Sequence, residues 1–152
     1  MMAADNSTIH ASVVLVGARA VLIRGPAGSG KSLLAWNLLT AAANGALPFA
    51  RLVADDRAHV EARSGRLLTR PSQALAGLIE IHGLGIRRVE FETVATVGLV
   101  VDLAASDGAR HPEREGQIAS IAGVTLPRLA VAAGMPALSP VLAALKTLPA
   151  GH

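Results

Sequence analysis

The chain has 152 residues, 51% of them hydrophobic and 16% charged, a balance that suits one globular domain with a real core and excludes an intrinsically disordered chain. It has no cysteine, which excludes disulfides, Cys-based zinc sites and a Cys nucleophile. The net charge is only +3, the arginines are scattered, and with two Phe, one Trp and no Tyr there is little to stack bases, so nucleic acid is not expected as a partner.

Met1 to Thr8 lacks a basic stretch followed by an apolar core, so no signal peptide is expected there and a cytoplasmic location is. Ser12–Val16 and Ala20–Ile23 read as two strands joined by a turn at Gly17-Ala18-Arg19, with His10 at the open end of the hairpin. Gly25-Pro26-Ala27-Gly28-Ser29-Gly30-Lys31-Ser32 follows directly and fits the phosphate-loop pattern G-x-x-x-x-G-K-[ST]. Ser32–Ala43 reads as a helix that Asn44-Gly45 ends, so strand, loop and helix occur in the required order. Of the fourteen basic residues only Lys31 and Lys146 are lysines, and a compact ammonium suits a phosphate cradle.

Arg51–Asp56 is predicted to be a buried strand ending in two carboxylates, which completes a β-α-β unit. His59–Arg63 and Arg66–Thr69 form a second hairpin around Ser64-Gly65, and Pro71–Gly77 is a connector or helical turn. Leu78–Ile81 is a short strand carrying Glu80, followed by the glycine-punctuated His82–Ile86. Gly98–Leu103 is a strand, 104–117 a polar loop, Val124–Val131 a last strand and Pro140–Leu148 a terminal helix with proline near its first turn. Leu129 to Leu145 lacks charges, but Gly134, Pro136, Ser139 and Pro140 interrupt it, so it reads as core or subunit-contact surface rather than a membrane span.

A phosphate loop holds phosphates through backbone N–H groups, Lys31 reaches the β/γ-phosphates, and the Ser32 hydroxyl suits Mg²⁺. Carboxylates decide what happens to the γ-phosphate. Asp55 and Asp56 lie where ligands bind in open α/β sheets, at a strand's C-terminal end, and successive strand residues face opposite ways, which predicts different jobs for the two. Glu80 has two open readings: a buried carboxylate relieved by a metal, or an edge-strand residue facing solvent. His10, His59, His82 and His111 carry weaker signals, and Arg114 lies in the polar loop as a mobile charge clamp or a solvated residue.

Taken together, Ile23–Ser32, Leu52-Val-Ala-Asp-Asp-Arg57 and Ile79-Glu-Ile-His-Gly-Leu-Gly-Ile86 resemble the HPr kinase/phosphorylase family. The resemblance runs from His10 to about Val131 and is similar to the catalytic domain alone, as in short alphaproteobacterial forms. It implies one domain over 1–152 without the N-terminal domain of longer members. It also implies an α/β P-loop kinase fold related to phosphoenolpyruvate carboxykinase, with a central mixed β-sheet and flanking helices. The implied activity is ATP-dependent phosphorylation of a serine of HPr, the phosphocarrier of the sugar phosphotransferase system, with a hexamer as the family's assembly. Carried over by position, Gly25 to Ser32 bind the nucleotide, and Ser32 and Glu80 are the Mg²⁺ ligands. Asp56 is the general base with Asp55 beside it, His10 supports the catalytic aspartate, and Arg114 falls at a catalytic arginine. His82 stands where the family has Arg, and Val131–Met135 lacks two basic residues of the family's late segment, which implies reduced phosphorylase activity. A nucleotide sensor without transfer activity and a small-molecule kinase are the alternatives.

Overall fold

The computed structural model describes residues 7–147. In chain order the elements are β1 (Ser7–Ile9), β2 (Ser12–Val16), β3 (Arg19–Arg24), α1 (Lys31–Ala43), β4 (Ala50–Ala54), β5 (Ala58–Arg63) and β6 (Arg66–Pro71). They continue with β7 (Leu78–Ile81), β8 (Gly85–Arg88), β9 (Ala95–Asp102), β10 (Ile118–Ile121), β11 (Val124–Ala130) and α2 (Leu138–Lys146). The predicted hairpins and phosphate-loop helix are present, and the terminal helix expected over Pro140–Leu148 runs from Leu138 to Lys146, with Leu148 outside the described residues. The short strands β1 and β10 were not expected, and the connector at Pro71–Gly77 is a 3₁₀ turn over Gln73–Leu75.

The main sheet runs β1-β5-β6-β9-β3-β2-β4, and β11, carrying β10, pairs with β9 as well. β3 and β9 are parallel, β2 is antiparallel to both β3 and β4, and β11 is parallel to β9. The expected β-α-β unit from β3 through α1 to β4 therefore exists with a change: β2 lies between its two strands. The cause is local, since the tight turn at Gly17 makes β2 the immediate partner of β3 and leaves β4 only the outer edge of β2. On its other edge β9 is shared, with β6 pairing at Ala95–Thr96 and β11 at Val100–Asp102.

Near-continuous apolar runs in the central strands reflect burial on both faces. Val14, Val21, Ile23, Leu52 and Val101 pack against Leu34 and Leu38 of α1 and Val141 of α2. The alternate residues Val13, Leu22 and Val100 pack against Val60, Leu67, Ala119 and Leu126 of the hairpins on the opposite side. α1 ends as its sequence suggests: Gly45 takes a left-handed φ of 85°, and the Ala46 N–H returns to the Ala41 carbonyl at 2.8 Å. β7 and β8 form a separate two-stranded hairpin, and β8 is exposed throughout. Among the described residues no helix is long and apolar enough to cross a membrane.

Candidate active site around the phosphate loop

β3 delivers the chain at Arg24 into Gly25–Gly30, and α1 begins at Lys31. Gly25 is needed for space, because a Cβ there would collide with Ser29 Oγ and lie 3.1 Å from Leu103 Cβ. Gly30 is needed for conformation, with φ at 100°, where a side chain is strained. The Ser29 N–H donates to the Pro26 carbonyl at 3.0 Å and closes the turn. Lys31 is buried and donates from Nζ to the carbonyls of Gly25 (2.9 Å) and Pro26 (3.4 Å). The ammonium is thereby fixed over the loop with a third donor remaining.

Asp55 is the hub of the site. It is 7% exposed, its Oδ1 accepts from Ser12 Oγ (2.8 Å) and Ser32 Oγ (2.6 Å), and its Oδ2 accepts from the Glu80 N–H (3.0 Å). One carboxylate thus joins β2, the start of α1 and β7, and all three donors are neutral. Asp56 turns the other way, as the sequence predicts, but through backbone strain rather than strand alternation: β4 ends at Ala54, and Asp56 has φ 68°. Its N–H donates to Ser12 Oγ at 3.2 Å, its carbonyl accepts from Ala11 N–H at 3.2 Å, and its side chain is exposed. A left-handed non-glycine residue is costly and persists where its surroundings fix it.

The other predicted residues, His10, Glu80 and Arg114, are all exposed. His10 is exposed between Ile9, which pairs with Ala58, and Ala11, which holds the Asp56 carbonyl, so the backbone sets it beside Asp56. Glu80 reaches Asp55 through its backbone only. Its side chain is exposed on the β7–β8 hairpin, with its own N–H on the Asp55 carboxylate. Arg114 is exposed in the 3₁₀ turn Arg114–Gln117, whose Gly116 carbonyl accepts from Arg128 Nη1 at 2.8 Å. Among the described residues no cluster of three or more His, Cys, Asp or Glu surrounds a metal position. Ser32 and Asp55 nevertheless form an oxygen donor pair of the kind that holds Mg²⁺ together with phosphate oxygens and water.

A second carboxylate network was not anticipated. Asp102, at the end of β9, accepts from Arg24 Nε (2.7 Å) and Nη2 (2.8 Å) and from Arg128 Nε. Arg128 also forks onto Asp107 at 2.7 and 3.0 Å. Burial pushes the Asp102 carboxyl up, but the hydrogen bonds and charges of Arg24 and Arg128 outweigh this and hold it below the ordinary carboxylate range. Asp107 hydrogen-bonded to Arg128, with Asp102 beside it, pushes the guanidinium's own value up, so its charge is permanent. The signal was available in the sequence: Asp102 ends an apolar run just as Asp55 does.

Fold and loop together define an α/β P-loop domain. Residues 2–136 match the family described as HPr Serine kinase C-terminal domain, and the chain belongs to that family. The HPr(Ser) kinase/phosphatase of Coxiella burnetii has the same fold, with a TM-score of 0.73 and 22% identity over 92% of this chain and 94% of that one. HPr kinase/phosphorylases of Streptococcus thermophilus strains are 38% identical over 84 residues, which is 55% of this chain and 25% of each relative. The matched stretch thus spans a quarter of the length of those relatives.

Proposed function

We propose that the domain is an ATP-dependent protein serine kinase acting on HPr. The observation that carries this reading is the division between Asp55 and Asp56. A nucleotide sensor needs the phosphate loop alone, whereas a kinase also needs an acidic group on the metal side and a second one free to take a proton. Asp55 is committed to Ser12, Ser32 and the Glu80 N–H; the neighbouring Asp56 is held outward by its left-handed backbone.

In this reading the N–H groups of Gly25–Gly30 and the Lys31 ammonium bind and orient the phosphates, and Ser32 and Asp55 hold Mg²⁺, with Glu80 adding an outer carboxylate at the rim. Mg²⁺ supplies neutralisation of the β- and γ-phosphate charge. Asp56 accepts the serine proton, His10 lies beside it to steady its charge, and Arg114 approaches from the 104–117 loop. Positioning supplies much of the rate. A protein substrate is favoured over a small molecule by the β7–β8 hairpin: it carries Leu84 and Ile86, 60% and 63% exposed, with Arg87 and Arg88 exposed, next to the strand whose Glu80 N–H binds Asp55. Reverse transfer from phosphoserine to inorganic phosphate is expected to be weak, since Val131–Met135 offers no cation. A cytoplasmic location fits a phosphocarrier substrate.

The test is an incubation of the purified protein with ATP, Mg²⁺ and HPr, read by intact mass. One added phosphoryl group on HPr, lost when its acceptor serine is replaced by alanine, is the expected result. Unchanged HPr in the presence of bound ATP would leave the sensor reading in its place.

A further inference from the structure

The ladder between β2 and β4 stops at Val13, which pairs with Ala54, and Asp55 and Asp56 lie just past its end. There the two residues before Val13 take over from the ladder. Ala11 donates its N–H to the Asp56 carbonyl (3.2 Å), and Ser12 Oγ accepts the Asp56 N–H (3.2 Å). Neighbouring residues thus hold both backbone polar groups of a residue whose φ is 68°. The same Ser12 Oγ donates to Asp55 Oδ1 at 2.8 Å. Ser12 is fully buried, and its place is set by pairing with Ile23 of β3, two residues before the phosphate loop begins at Gly25. Chemistry fixes the direction of this relay. An N–H only donates and a carboxylate only accepts, so the hydroxyl between them points its single proton at Asp55 and a lone pair at Asp56.

We infer that Ser12 is a positioning residue: its hydroxyl, oriented by the Asp55 carboxylate, holds Asp56 in the turned-out backbone from which its side chain takes the substrate proton. The inference rests on the reading of Asp56 as the proton acceptor. A left-handed non-glycine residue persists only where its surroundings over-determine it. Removing the hydroxyl takes away one of the two clasps on Asp56 and leaves its N–H without that acceptor, so the backbone relaxes toward an ordinary conformation and carries the carboxylate out of place. A displacement of about 1 Å is enough to cost a reaction about 10²-fold. Asp55 is affected far less, because it keeps its bonds to Ser32 Oγ and the Glu80 N–H. The hydroxyl therefore acts on the proton-accepting side of the site and not on the metal side.

Two matched pairs in the full chain test this: the unaltered protein against Ser12→Ala, and Ser12→Thr against Ser12→Val, which have nearly the same shape and differ in the hydroxyl. Each is read as single-turnover transfer from ATP to HPr per ATP-binding site, with the sites counted by titration of the same preparation so that unfolded protein does not enter the rate. In each pair the variant without the hydroxyl is expected to transfer about tenfold or more slower, with ATP affinity within about twofold and the Mg²⁺ requirement preserved. In an Asp56→Asn background Ser12→Ala should slow transfer by no more than about twofold, since the group it positions is gone. Ser12→Ala at the unaltered rate, or Ser12→Val no slower than Ser12→Thr, overturns the inference and leaves the reading of Asp56 standing. So does a Ser12→Ala effect that persists in full in the Asp56→Asn background. No transfer by the unaltered protein, or full transfer by Asp56→Asn, overturns the reading of Asp56 itself and the inference with it.

Discussion

Two carboxylates flank the phosphate loop, and their surroundings are opposite. Asp55, past the end of β4, is surrounded by two hydroxyls and one backbone N–H and touches no cation among the described residues. Asp102, at the end of β9, is clasped by two guanidiniums, one of which continues to Asp107. Both lie at the loop end of the sheet, yet only Asp55 retains a charge that an incoming cation can answer. The charge of Asp102 is already spent on holding three strands together: Arg24 comes from β3 and Arg128 from β11. The general lesson is that the position of a carboxylate nominates it for chemistry, and its partners decide whether it is available.

The largest effect that separates the two is expected from Asp55→Asn. The amide cannot accept at both ends, so one donor among Ser12, Ser32 and Glu80 N–H loses its partner, at about 1–3 kcal/mol of stability. The metal dependence should change more: Mg²⁺ affinity in the presence of ATP is expected to fall by about 10- to 100-fold, read by a Mg²⁺ titration of phosphoryl transfer. An unaltered Mg²⁺ requirement would break the contrast, making Asp55 a structural group like Asp102.

Asp102→Asn should do the reverse. It leaves Arg24 and Arg128 short of their counter-charge and is expected to cost about 2–3 kcal/mol. That corresponds to a fall in melting temperature of about 5–10 °C, with Mg²⁺ dependence preserved. The smallest effect is in pH. The Asp102 carboxyl is held below its ordinary value, about 3.9 in an unfolded chain, so between the two values the unfolded state binds more protons. Its contribution to stability is therefore full above about pH 5 and is lost as the pH falls through the lowered value. Melting temperatures across that range should show the loss in the natural protein and a flatter profile in Asp102→Asn.

The phosphate loop was legible because its constraints are local: Gly25 has no room for a Cβ, and Gly30 must be left-handed. The hairpins β2–β3 and β5–β6 were legible for the same reason, each resting on a short turn. β1 and β10, strands of three and four residues, exist only because β5 and β11 offer them an edge, and alternation over so few residues carries no signal. The insertion of β2 between β3 and β4 depends on which edges remain open, which no single stretch of sequence encodes. Glu80 stood in an apolar run, but periodicity does not say which side of a two-stranded hairpin meets water. Asp102 carried the same signal as Asp55, while its partners lie 78 and 26 residues away, and only the fold brings Arg24 and Arg128 to it.

The central claim is that Asp56, turned outward beside the committed Asp55, takes the proton that makes the phosphate loop a kinase site. Single-turnover transfer from ATP to HPr by Asp56→Asn, measured alongside ATP binding by the same preparation, tests it most directly. ATP binding close to that of the unaltered protein with transfer slowed by about 10²- to 10⁴-fold is the predicted result. Transfer at the unaltered rate would contradict it.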